Sequence, residues 1–477
     1  MRPSQASAGR RPERLAPALS PRAGGVAERG WSDADTADLP RRERPHRVRV
    51  AMMALGVAAL ALPPVLALAL WATAPTAAEL DARWHRDAGF DPLARFPARE
   101  ATASALRIEE VARPLGLELA PERADRRPRL LPRMRSDLGP LWSAARATFQ
   151  GLRSPGAALV ALPPPAVEGL DTVSSDLLAV RETLLGEEPP RWERDLAAGW
   201  NAPLPDLLAH QRLHRLLALA AYRAAVAGDR DEAAAWLDAA WRLQGSLADE
   251  PHLYAQLVAG SELQDELALL RVLPAPPDGW GERLAEHTVR SQVHDALRVE
   301  AWLAVQSLHR GMPFGRSAEP PEGYVLRRVL APLWWARVRH GIGHVVESVD
   351  HAIARAEREG AAALGASFVN EERGRIPRWS GFGRTLATNL LDAPLDAARF
   401  ELGVELNRQL IGLAARRDRG EVAARATVPS AVAGVAWEQE PQNGRMVVRA
   451  SREVPAAGPH PLPLRAALPW PETPARP

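Results

Sequence analysis

The sequence predicts an all-α fold, helical hairpins following one N-terminal transmembrane helix, with a small β-hairpin near the C-terminus. Three observations carry this prediction. Between residues 77 and 420, apolar residues recur at spacings of three and four among Ala, Leu, Arg and Glu, and no period-two run is long enough for a sheet. Val50 to Ala72 is a 23-residue stretch with no charged side chain. Near the end, Asn443-Gly444 separates two strand-like runs, a strong hairpin signal.

Taken in order, residues 1–48 are rich in Arg, Pro, Ala and Ser without periodicity, and read as a disordered basic cytoplasmic tail. Residues 49–73 read as the anchor. As a helix, the 23 uncharged residues span about 35 Å, enough for the hydrocarbon core. Pro63-Pro64 would kink such a helix, which a membrane tolerates. Arginines crowd its N-terminal side and acids its C-terminal side, so the positive-inside rule puts the tail in the cytoplasm and the main domain in the periplasm or outside the cell. A cleavable signal peptide ending at Ala72-Thr73-Ala74 is the rival, with a true start near Val48. Pro75 opposes cleavage there.

An exported helical domain is expected over 77–420, with helices near 77–87, 98–114, 136–153, 168–186, 204–227, 230–247, 251–272, 280–309, 323–338, 340–359 and 396–417. Proline clusters mark loops at 163–165, 189–190, 274–277 and 320–321. The best-organised part is 204–284. Gly228 closes one helix, Asp229 caps the next with Glu232 in the capping-box place, and Pro251 suits the first turn of a third. Tyr222, Gly228-Asp229, Glu232-Ala233, Leu237 and Ala240 make this unit tetratricopeptide-like, but in a single copy. A β-hairpin is expected over 428–452, and a Pro-rich disordered tail over 453–477.

Composition narrows the chemistry. Of 477 residues, 60 are basic and every one is arginine; there is no cysteine. Thiolate sites, disulfides, lysine Schiff bases and Walker-type phosphate loops are therefore excluded. The formal charge is +2, and residues 1–50 hold eleven Arg against six acids, so the body is mildly acidic and nucleic acid is not an expected partner.

The segments PDLLAHQRLHRLLA (205–218) and AWRLQGSLADEPHLYAQLV (240–258), with Trp280 and Arg283-Leu284 after the 274–277 prolines, resemble a group of uncharacterised exported helical proteins of environmental, high-GC bacteria. Trp84 to Leu119 and Trp437 to Val448 are also similar. The resemblance implies an anchored helical envelope protein and transfers no catalytic residue.

One constellation suggests chemistry: His340, His344, Glu347 and His351, with Asp350 adjacent, fall along one helical stripe. Imidazole and carboxylate are ligands for zinc or iron, and His210 and His214 could add a second edge. Gly341 and Gly343, with Arg337 and Arg339, work against a cation there. Gly341-x-Gly343 and Gly381-x-Gly383 read as loops or caps, and Ser380 has no nucleophile-elbow context. No acidic pair stands in an apolar setting that would split two pKa values. Val325 to Val338, with Trp334-Trp335, could rest on a membrane surface. The expected function is a structural or protein- or peptide-interaction module of the envelope, without cofactor or catalysis, touching the bilayer through 50–72. The alternative is a metal-dependent exported enzyme on the His340–His351 stripe.

Overall fold

Local capping chemistry sets where five of the helices begin, after Thr76, Asp91, Thr102, Asp206 and Asp229. The computed structural model describes residues 44–119, 138–154, 156–186, 188–309, 324–359, 366–377, 380–421, 424–452, 454 and 463–470. The chain divides into two units between Pro64 and Val65. In the first, the described residues belong to α1, Arg44–Thr73, which starts inside the basic segment rather than at 49. Its large apolar side chains Val50, Met52, Met53, Leu55, Val57 and Leu62 are all exposed. Among the described residues no helix is long and apolar enough to cross a membrane. The expected transmembrane span at 49–73 is thus not found as such; the side chains at 54, 58–61, 63 and 64 lie outside the description. The tail expected over 1–48 lies outside it as far as residue 43.

The second unit opens with α2 (Ala77–Ala88), where Thr76 and Glu79 form a complete capping box and Gly89 closes the helix at φ 55. Asp91 caps the single turn α3 (Pro92–Arg95), and Thr102 caps α4 (Ala103–Ala112). Then come α5 (Gly139–Leu152), α6 (Pro164–Thr172) and α7 (Ser174–Gly186). The prolines expected to mark a loop instead begin α6, since the first turn loses nothing by lacking their N–H groups. The expected helix 168–186 is broken at Val173 (φ −109, ψ 8).

Next, α8 (Leu207–Val226) and α9 (Arg230–Ala248) form the expected hairpin, capped by Asp206 and Asp229 and turned at Gly228 (φ 81). Only half of the capping box at Asp229 is as expected. Asp229 accepts from the Glu232 N–H at 3.1 Å, but the Glu232 carboxylate turns to Arg181 and to Trp236 Nε1. Then α10 (Leu253–Val272) packs against α8, α9 and α5, with His252 at its cap and Pro251 just before the cap instead of in the first turn.

The expected helix 280–309 is two, α11 (Trp280–Glu286) and α12 (Val289–His309), separated where His287 packs 5.1 Å from the Trp241 ring. Conversely, 323–338 and 340–359 are one helix, α13 (Tyr324–Glu359). Two helices unforeseen in the sequence follow, α14 (Ala366–Arg375) and α15 (Gly381–Leu391), and then α16 (Ala393–Asp418), which packs on α10 and α12.

The glycines that look like loop signals are a helix crossing. A Cβ on Gly383 would stand 2.7 Å from Gly341 Cα and 2.8 Å from Ser380 Oγ, so α13 and α15 approach backbone to backbone. Packing gained there offsets the roughly 1 kcal/mol propensity cost of each helical glycine.

The C-terminal region is larger than a hairpin. Strands β1 (Ala426–Pro429), β2 (Ala436–Gln442), β3 (Arg445–Ala450) and β4 (Arg465–Pro469) form an antiparallel meander in sequence order. Asn443 (φ 50) and Gly444 (φ 67) make the two-residue turn that pairs Gln442 with Arg445. The disordered tail expected over 453–477 is therefore wrong for 465–470, while 453, 455–462 and 471–477 lie outside the description. Leu464, Ala466 and Leu468 alternate towards the core and Trp470 is buried. Pro469 is tolerated because β4 is an edge strand. Trp437, Met446, Val448 and Trp470 cover Leu395, Leu402 and Leu406 of α16. Glu405 pins the two layers, accepting from Trp437 Nε1 and the Ala431 N–H, each at 2.7 Å.

Gly383→Ala is expected to destabilise the chain by about 1–3 kcal/mol through overpacking. Gly245→Ala on α9, where the new methyl meets nothing within 4 Å, should be neutral or stabilise by up to about 1 kcal/mol. Denaturant unfolding of the two variants checks the contrast.

Candidate functional site

Helix α10 carries charge into the middle of the bundle. Glu262, Asp265 and Glu266 are fully buried, on a helix enclosed by α5, α8, α9, α12 and α16. Three ionised carboxylates there would be prohibitive without partners. Each has one. His210 Nδ1 meets Glu262 Oε1 and His214 Nε2 meets Glu266 Oε1, both at 2.8 Å. Asp265 is clamped by Arg153 at 2.6 Å from α5 and by Arg215 at 3.1 Å from α8. No acidic pair was expected in an apolar setting that would pull two pKa values apart; Glu262 and Glu266 do stand in such a setting, because α10 is covered on all sides, though burial raises both.

Burial, with Glu262 and Asp265 adding to it, pushes the Glu266 carboxyl well above its ordinary 4.5. Burial also holds His214 well below its ordinary 6.5, helped by His210 and Arg215. The pair is therefore neutral, a carboxylic acid against an imidazole. Glu262 is likewise raised by burial, with His210 opposing.

Ser246, His210 and Glu262 have the connectivity of a serine–histidine–acid relay. His210 Nε2 lies 2.9 Å from Ser246 Oγ, and its other nitrogen faces the acid. Hydrogen-bond roles decide against it. Trp192 Nε1, which can only donate, gives to Ser246 Oγ at 3.0 Å, and the hydroxyl donates to the Leu243 carbonyl at 2.7 Å. The nitrogen facing Oγ then carries a proton and cannot act as its base. All three residues are buried, and none lines the clefts below.

The expected metal stripe is on one continuous helix, but its members serve different neighbours. His340 Nε2 meets the Leu70 carbonyl of α1 at 3.2 Å. Glu347 binds Arg83 of α2 at 2.6 Å and stands 3.9 Å from His344. His351 meets Glu372 of α14 at 2.8 Å, with Arg375 on the same carboxylate. His344 is lowered mainly by burial, with Glu347 opposing. His210 and His214, proposed as a second edge, are engaged by α10. Among the described residues no group of three or more His, Asp or Glu is placed to hold a metal ion.

One site with room for a ligand is a cleft of about 700 Å³ among α5, α8, α10 and α16. Five arginines line it, Arg146, Arg153, Arg212, Arg215 and Arg399, against only Asp265 and Asp396. Trp142, Phe149 and Phe400 give it apolar wall, and Ser143, Gln150, Gln211, Ser261 and Gln264 supply uncharged polar groups. Its volume falls in the small-ligand range of about 300–1,000 Å³. Sequence reasoning did not find it, because its arginines come from three helices and show no spacing pattern. No family model matches the chain, and no curated protein or solved structure matches it.

Two expectations follow. In the fold the His214–Glu266 pair holds one proton, on the acid. Unfolded, it also holds one between about pH 4.5 and 6.5, on the imidazole, so there the pair makes stability independent of pH. Above 6.5 the unfolded pair releases its proton and wild type should lose up to about 1.4 kcal/mol per pH unit relative to H214L/E266L. Below 4.5 the unfolded pair gains a second proton and wild type should again lose ground. Chemical denaturation of both proteins from pH 4 to 9 tests the plateau and its two shoulders. Separately, His344→Ala is expected to leave the melting temperature unchanged, and elemental analysis of purified protein should find neither zinc nor iron in stoichiometric amount.

Proposed function

We propose that the chain is a single-pass, membrane-anchored helical protein of the bacterial envelope, acting as a structural or interaction module for protein or peptide without catalysis. Its N-terminus lies in the cytoplasm, and the helical domain after residue 77 lies in the periplasm or outside the cell. The observation that carries the reading is α1. Val50, Met52, Met53, Leu55 and Val57, then Val65, Leu66, Leu68 and Trp71, are at least half exposed to solvent. Soluble surfaces rarely leave so many contiguous large apolar side chains uncovered, and lipid is the solvent that suits them. The arginines at 41, 42, 44, 47 and 49 stand just before this run, as the cytoplasmic flank requires.

Further support comes from α13. His340 meets the last turn of α1, and the half-buried Trp334 and Trp335 lie one to two turns before it, where an interfacial tryptophan pair would sit. The likeness to exported helical proteins of environmental bacteria is consistent with this placement. An enzyme built on His340, His344, Glu347 and His351 has no comparable support, since His340, Glu347 and His351 each engage a different neighbour, Leu70, Arg83 and Glu372.

A reporter that matures only outside the cytoplasm, fused after residue 90, should be active, and the same reporter fused after residue 40 should be silent. Silence of the residue 90 fusion would overturn the proposed topology.

A further inference from the structure

The cleft among α5, α8, α10 and α16 holds more positive charge than its own walls neutralise. Arg153 and Arg215 share the single carboxylate of Asp265. Arg399 donates to the Val454 carbonyl. Arg146 is exposed at the rim. Arg212 Nη1 is buried without an acceptor, and so is Trp142 Nε1. Both orphaned atoms are donors, and both belong to residues lining the same cleft. A buried donor left unmet is costly, so the missing partner is an acceptor. The chain contains no lysine, so the choice of arginine carries no information here. The placement does: five guanidiniums face one volume with two acids among them.

We propose that this cleft binds an extended acidic peptide segment, its carboxylates received by Arg212 and Arg146. The proposal rests on the interaction-module reading and names the partner's chemistry. Guanidinium forks match carboxylates in geometry and charge. Trp142, Phe149 and Phe400 accommodate apolar side chains between the acids. Gln150, Gln211 and Gln264 offer amides that pair with a peptide backbone in either direction. Asp265 is not available to repel the ligand, because both of its oxygens are held by Arg153 and Arg215.

A second cleft of about 700 Å³, between α16 and the sheet, is the natural control. It too has arginines, Arg408, Arg416 and Arg419, but Glu421 already engages two of them at 2.7 Å.

The test uses the full chain purified in mild detergent and a fluorescein-labelled hexapeptide alternating Glu and Leu, read by polarisation. The expected result is saturable binding that weakens with salt, at least about tenfold tighter than for the Gln/Leu counterpart. Arg212→Gln should weaken it about tenfold and Arg146→Gln severalfold, whereas Arg408→Gln should change nothing. Arg146 is exposed, so its variant keeps the test informative if Arg212→Gln fails to fold. Equal affinity for the two peptides, or full affinity in both cleft variants, overturns the proposal. Displacement by inorganic phosphate at equal concentration also overturns it, in favour of a free oxyanion site. Binding with a silent residue 90 reporter would keep the cleft and sink the envelope reading; the expected topology without binding would do the reverse.

Discussion

A row of carboxylates on one fully enclosed helix is the constraint on which the bundle depends. Glu262, Asp265 and Glu266 cannot be buried alone, and their partners reach them from two sides. His210, His214 and Arg215 fix α8 in register against α10, and Arg153 ties in α5. Apolar packing of Leu and Ala would allow α8 to slide along α10 by a turn at modest cost. Two imidazoles four residues apart, facing two carboxyls four residues apart, do not allow it: a one-turn slip leaves one pair broken and a buried polar group unmet. The row thus specifies alignment more than it adds stability, consistent with how buried polar networks act elsewhere.

The same logic recurs around the bundle. Arg99 binds the buried Glu250 and, through its Nε, the Trp192 carbonyl at 2.9 Å, so the chain before α4 is tied to the end of α9. Where α9 ends, Gln256 donates to the Ala248 and Glu250 carbonyls and shares the Leu247 carbonyl with the Glu250 N–H. Tyr222 receives the Val160 N–H and returns a bond to its carbonyl, fastening an otherwise irregular loop to α8. Each is a polar group placed where backbone donors or acceptors run out.

Much of this fold was legible in the sequence, and the exceptions have physical causes. The start at Asp229 is visible because an Asp precedes an apolar run, whereas the helices expected from 98 and 204 begin only at the caps Thr102 and Asp206. Breaks at Val173 and His287 are not visible, because neither residue is a helix breaker and tertiary contacts decide there. Gly341 and Gly383 misled for the converse reason: glycine is a poor helix former alone, but a necessary one where two backbones touch. β4 is hidden by Pro469 within it and the prolines around it, although proline's exclusion from sheets does not extend to an edge strand. His210 and His214, four apart, suggest a metal edge when read from the sequence alone. The matching Glu262 and Glu266, also four apart, were the signal that they face acids instead of a cation.

The cleft was illegible for a deeper reason, and that reason links it to the core. Its charge is a remainder: five arginines converge, and the core takes back only part of their field through Asp265. The clamp of Arg153 and Arg215 on that carboxylate has two consequences at once. It makes a buried acid affordable on α10, and it holds two guanidiniums rigidly in the cleft wall, so little side-chain entropy is left to lose when a ligand arrives. Removing Asp265 would raise the positive charge of the cleft and yet leave its wall without an anchor, so greater charge would not by itself make a better site. The binding surface is pre-organised by the same interaction that sets helix register, and no linear spacing of residues on one helix could have displayed it.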